Sequence, residues 1–175
     1  MSNEDRINSH GGHDQSTALV HRANREPWHD PQWQQFWLAI ETRPWRSLSL
    51  VPAGEGGPVD FTLNLAVNLS RTGIVHIGTA IQVADATSVP LGQLNAFLTE
   101  VRRCTSTGDR LLIALPPTGA SPITTSIAQA SDAAVLCILI EKMSSADAKR
   151  TLKLVGHSRF IGSVMVHPSQ LNRAV

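Results

Sequence analysis

The sequence predicts an α/β domain in which a mainly parallel sheet is flanked by helices. Two observations predict it. From Arg46 onward, short apolar runs alternate strictly with stretches of helical periodicity, the pattern of repeated strand–helix–strand units. One run, "AAVLCILI" at 133–140, is apolar on both alternating faces, as in a strand buried in the middle of a parallel sheet.

Each element has its own local signal. Residues 1–30 are rich in Ser, Asn, His, Gly and charge and lack apolar periodicity, so they read as a polar, disordered tail. His10 and His13 form an H-x-x-H there. No cysteine stands near them and the segment has no apolar periodicity, which favours a flexible tail over a metal site. The domain proper is expected over 31–167, with 168–175 as a C-terminal tail.

"DPQWQQFWLAIET" predicts a helix, since Asp30 can cap it and Pro31 suits its first turn. Trp33, Phe36, Trp37 and Ile40 recur on one face of it. That stripe is either core packing or a contact surface, and Trp33, Phe36 and Trp37 are the candidate partner contacts. "SLSLV" (47–51) reads as a strand and 58–70 as a helix. "GIVHIG" (73–78) reads as a second strand. Ser88 and Pro90 open a helix in which Leu91, Leu94, Leu98 and Val101 share a face. "RLLIAL" (110–115) is a third strand and 122–130 a short helix. "SSAD" (144–147) resembles a capping box before a helix to Val155. "FIGSVMV" (160–166) is the last strand.

Composition narrows the function classes. An apolar content of 42% with 17% charge suits a globular domain with its own core. A formal net charge of +1 offers no basic face, so nucleic acid is not an expected partner. No apolar run reaches the ~18 residues a membrane span needs, so no membrane insertion is expected. The polar N-terminus lacks the apolar core of a signal peptide. Cys104 and Cys137 fit no zinc or redox spacing, which points to a reducing cytoplasm.

Ligands on parallel sheets sit beyond the carboxyl ends of the strands, so those loops carry the functional question. After the first strand comes Gly54-Glu55-Gly56-Gly57-Pro58. A phosphate loop needs free amides, a lysine for the terminal phosphates and a Ser/Thr hydroxyl for magnesium. The glycines suit the first need. Lysine and hydroxyl are missing, proline removes an amide, and Glu55 adds a negative charge. The same residues fit a tight strand-to-helix turn with Pro58 opening the helix. After the second and third expected strands stand Gly78, Ala80 and Ala114, where a nucleotide hydrolase carries aspartates.

These loops together resemble the MinD/ParA-type P-loop ATPases. The closest resemblance is to the cytoplasmic domain of the bacterial tyrosine kinases of exopolysaccharide synthesis. "PAGEGGPVDFTLNLA" keeps the family's Gly-Glu-Gly and its Asn64-Leu65-Ala66, with one extra residue between them. In either register the lysine position holds Gly57 or Pro58. "IVHIGTAIQ" (74–82) aligns with the second motif, with Gly78 and Ala80 at its two aspartates. "LLIALPP" (111–117) keeps Pro116 and Pro117 and has Ala114 at the third aspartate. "ASDAAVLCILIEKMSSADAKRTLKLV" and "FIGSVMVH" resemble later segments of the family, with His167 at its asparagine. The resemblance spans about residues 32–167.

The resemblance implies a three-layer, P-loop-like fold. It also implies a catalytically inactive relative, because the charged positions all depart and the chain has no tyrosine to phosphorylate. No catalytic residue, metal or cofactor is therefore expected. The implied role is regulatory or scaffolding, in the cytoplasm or peripheral to the inner membrane through a protein partner. That partner would be a membrane polysaccharide copolymerase or an active kinase paralogue, and homo-oligomers would form without nucleotide. The alternatives are a MinD/ParA-like positioning protein lacking ATPase activity and a weak, non-hydrolysing nucleotide switch. A different enzyme on this scaffold would draw on His76, Asp85, Asp132, His157 and His167. His157 and His167 have no acid or nucleophile at a defined spacing. His76 is expected inside a strand, and Asp132 is expected to position a turn.

Overall fold

A computed structural model describes residues 26–168. Five parallel strands form one sheet in the order β2-β3-β1-β4-β5. They are β1 (Ser47–Pro52), β2 (Ile81–Asp85), β3 (Arg110–Ala114), β4 (Ala133–Leu139) and β5 (Phe160–Val166). Five α-helices flank them: α1 (Pro31–Ile40), α2 (Phe61–Ile77), α3 (Leu94–Ser106), α4 (Ile123–Ala130) and α5 (Ser145–Val155). The α/β class with a parallel sheet is as the alternating pattern predicts. His10 and His13 lie outside the described residues, as do 169–175 of the C-terminal tail.

Strand order explains the layers. The chain leaves β1 leftward across β3 to reach β2, and every later connection runs back the other way. Right-handed crossovers then place α2 on one face and α3, α4 and α5 on the other. The first face packs Leu48, Leu50, Leu112 and Val135 against Trp37, Leu65 and Leu69. The second packs Val51, Leu111 and Ile113 against Val101, Ile123, Ile127 and Val155. Every residue of β1 is buried, as expected for a central strand covered on both sides.

The local signals read from sequence recur in the caps. Asp30 accepts a hydrogen bond from the Gln32 amide at 2.9 Å and caps α1. Ser144 and Asp147 form the reciprocal capping box that opens α5. A short 3-10 turn over Pro27–His29 precedes α1 and packs on α2.

One element differs from the sequence reading. Residues 73–78 are not a strand but the last turns of α2, and the second strand is 81–85. Two glycines account for this. Gly78 stops the helix at φ +69°, with its amide bonded to the Ile74 carbonyl at 2.9 Å. Gly73 lies inside the helix because a Cβ there would collide with the Trp37 ring and with Ile81. The β-branched residues of "GIVHI" favour a strand locally, but helix packing against α1 overrides that preference.

The aromatic stripe of α1 also settles. Trp37 is 1% exposed and sits in the core beneath α2, so its side chain offers no surface to a partner. Trp33 and Phe36 are half-buried and pack against the same core.

Candidate functional site

The strand order reverses at β1, so the crevice beyond its carboxyl end is the place where this topology puts a ligand. Three segments meet there: the loop from Ala53 to Asp60, the exit of β3 from Leu115 to Ser121, and the turn from Ile140 to Ser144 after β4.

The loop after β1 is held by its neighbours. Ala53 donates its amide to the Cys137 carbonyl at 2.9 Å. Gly54 takes φ +142°, and a Cβ there would come within 2.9 Å of Asp147 Cβ. A Cβ on Gly56 would collide with the Lys142 carbonyl oxygen. Gly57 faces Met143, Leu139 and Phe61. These glycines admit close contact with the β4–α5 turn, whose Glu141 adopts φ +70°. The Phe61 amide is bonded to the Pro58 carbonyl at 3.1 Å, which starts α2. The amides of Glu55, Gly56 and Gly57 donate to no acceptor among the described residues.

The β3 exit is clamped from both faces. Thr62 in the first turn of α2 donates its hydroxyl to the Leu115 carbonyl at 2.8 Å. Thr124 in the first turn of α4 donates to the Pro116 carbonyl at 2.8 Å. Glu55 reaches across to Gly119, where a Cβ would strike its carboxylate. A crevice lined by Pro52, Gly57, Pro58, Phe61, Leu115 and Met143 remains, with room of about 10 Å³. That is about one water, far below the ~300–1,000 Å³ of a pocket for an organic ligand.

The expected strand-end residues divide. Gly54 to Pro58 and Ala114, Pro116 and Pro117 do stand together at this crevice or beside it. Gly78 and Ala80 do not. They form the turn that enters β2, at the opposite end of the sheet. The residue that leaves β2 is Asp85, level with Ala114 on β3. An acid therefore does stand at the end of the second strand, beyond Gly78 and Ala80 where the motif alignment looks for it. Its carboxylate bonds the Thr87 amide at 2.8 Å and hydroxyl at 2.6 Å, forming a local turn.

The remaining candidates are dispersed. His76 is exposed on the last turn of α2 rather than in a strand. Asp132 lies at the amino end of the sheet and accepts from the amides of Arg46 (2.9 Å) and Ser47 (2.8 Å). Partial burial pushes its carboxyl up, but the bonds from Ser47 and Arg46 outweigh that and hold it below the ordinary range. His157 is exposed ahead of β5, and His167 pairs with Glu141 at 3.6 Å. Cys137 is buried, which pushes its thiol far up and keeps it inert. Among the described residues no three His, Cys, Asp or Glu side chains gather where they could hold a metal ion. No described helix is long and apolar enough to cross a membrane.

Thr62, Thr124 and the Lys142 carbonyl are missed by sequence reasoning. A threonine in the first turn of each of two helices is the one available signal, and it does not name its partner. Neither a protein-family model nor a curated protein matches the sequence.

Proposed function

We propose that this protein is a catalytically inactive relative of the MinD/ParA-type P-loop ATPases, in the branch that includes the exopolysaccharide tyrosine kinases. In this reading it acts by contact, as a regulatory or scaffolding partner in exopolysaccharide synthesis or export. The observation that carries it is the loop after β1. Gly57 and Pro58 stand where a lysine would reach phosphates, and the Lys142 carbonyl packs on Gly56. The loop's glycines thus serve packing against the β4–α5 turn. Ala114 at the β3 exit supports the same reading, since it offers no ligand for magnesium. The partner in this proposal is a membrane polysaccharide copolymerase or an active kinase paralogue.

Titration calorimetry with ATP and magnesium tests the inactive part directly. No heat of binding is expected up to millimolar nucleotide. Micromolar, magnesium-dependent binding would overturn it. Co-purification of the full chain with a membrane polysaccharide copolymerase tests the second part separately.

One observation favours a weak nucleotide switch instead. The unpaired amides of Glu55, Gly56 and Gly57, in the loop ahead of α2, are attractive to an anion. Against it stand the Glu55 carboxylate and the loss of charge-assisted bonds worth about 1.5–3 kcal/mol each. A rise in melting temperature with millimolar ATP, absent with equal ionic strength of chloride, would support the switch.

A further inference from the structure

Among the described residues no strand pairs with the outer edge of β5. β5 runs for seven residues without a charge or a proline. The other edge, β2, has five residues and ends in Asp85. Natural edges are blunted by charge, proline, shortness or a bulge; β5 has none of the first three, and the register shift of its pairing with β4, between Ala134 and Val135, lies at its amino end. The Ile140 amide donates to the Val166 carbonyl at 2.9 Å, so Val166 turns its main-chain groups toward β4. In a parallel ladder this alternates along the strand, which leaves the N–H and C=O of Ser163 and Met165 facing away from the sheet. Their side chains stand on the same face as α5, and Met165 is 69% exposed.

The segment that joins β4 to β5 is basic. All three lysines of the chain, Lys142, Lys149 and Lys153, fall in it, with Arg150 and with Arg159, which donates to the Ser131 carbonyl at 3.3 Å. Against them stand Glu141, paired with His167, and Asp147, engaged in the capping box. The preceding described residues, 26–140, carry the opposite balance, six Arg against nine Asp and Glu. A symmetric pairing of two copies would bring this basic flank against itself. An acidic strand meets no such conflict.

We propose that the β5 edge accepts an acidic, extended segment of a partner protein as a sixth strand. The outward groups of Ser163 and Met165 would supply main-chain hydrogen bonds, and the basic α5 would select acidic side chains on the shared face. The outward groups of Ser163 and Met165 stand on β5, separated from β1 by β4, so this proposal and the nucleotide reading can fail independently.

The test is fluorescence anisotropy of the full chain with a labelled seven-residue peptide alternating valine and glutamate. Saturable binding is expected, and the lysine counterpart should bind at least about tenfold more weakly. Met165→Pro removes an outward amide at an edge position where proline is tolerated, and should weaken binding about tenfold with little change in melting temperature. Should that variant unfold, hydrogen exchange on the parent decides: the Ser163 and Met165 amides should gain protection with the glutamate peptide. Lys149→Glu with Lys153→Glu should reverse the preference between the two peptides. Equal binding of both peptides, no binding of either, or binding that leaves the Ser163 and Met165 amides unprotected would overturn the proposal. So would a dimer in sedimentation that Met165→Pro dissociates, since the occupant would then be a second copy.

Discussion

Thr62 and Thr124 reach the same piece of chain from opposite faces of the sheet. Their hydroxyls donate to the consecutive carbonyls of Leu115 and Pro116, each at 2.8 Å, and both side chains are fully buried. The exit of β3 is therefore pinned between the first turns of α2 and α4. Ala114 ends β3, and two threonines hold the backbone that follows it.

Each bond should contribute measurably because a buried carbonyl left without its donor is costly. Thr62→Val and Thr124→Val should each lower stability by about 1–3 kcal/mol in urea unfolding. Thr→Ser at either site should recover most of that. The double variant should show non-additive loss, since both bonds fix adjacent peptide units. Additive losses below about 0.5 kcal/mol would show that the clamp contributes little.

The glycines of the loop after β1 make a second distinction. If Gly56 serves packing, Gly56→Ala must force the Lys142 carbonyl away and cost about 1–3 kcal/mol. Gly92→Ala is the control, because a Cβ there meets nothing within 4 Å. It should change stability by no more than about 1 kcal/mol. A silent Gly56→Ala in thermal melts would remove the packing account of this loop.

Arg110 supplies a third test at the amino end of the sheet. Its guanidinium lies 4.1 Å from the Trp45 ring centre and 5.7 Å from that of Trp37. It also pairs with Glu41 at 2.8 Å and donates to the Trp45 carbonyl at 3.3 Å. Arg110→Lys keeps the charge but loses the planar stack. About 1–2 kcal/mol of stability should be lost, with a shift in tryptophan emission. An unchanged spectrum and midpoint would show that the stack is incidental.

How far the sequence reaches follows from the range of the interactions. The capping box at Ser144 and Asp147 was readable because its partners are three residues apart. The buried β4 was readable because both of its faces are apolar. The end of α2 was not, because Gly73 is explained by Trp37, a residue of another helix. Read locally, "GIVHI" is a strand, and that error moved the second motif onto Gly78 and Ala80. Correcting it exposes Asp85 as the true end of the second strand. Thr62 was equally hidden, since its partner lies 53 residues away. The loop after β1 was legible as a strand-to-helix turn, but the carbonyl that packs on it comes from the far side of β4.

The last prediction concerns acid. Asp132 holds the start of β1 to the start of β4 through the amides of Arg46 and Ser47 and the Ser47 hydroxyl. Burial raises its affinity for a proton, but the hydrogen bonds prevail and the folded-state value lies below the unfolded one. The unfolded chain therefore binds the proton first as pH falls. The contribution is present in full above about pH 4, the ordinary aspartate value, and is lost as pH drops through the lower folded value. Asp132→Asn removes this dependence. Its stability should fall below that of the parent at pH 7, and the two curves should converge as pH falls below about 4. Urea midpoints measured at half-unit steps of pH decide the matter. Parallel curves for the two proteins over that range would show that Asp132 does not couple folding to protonation.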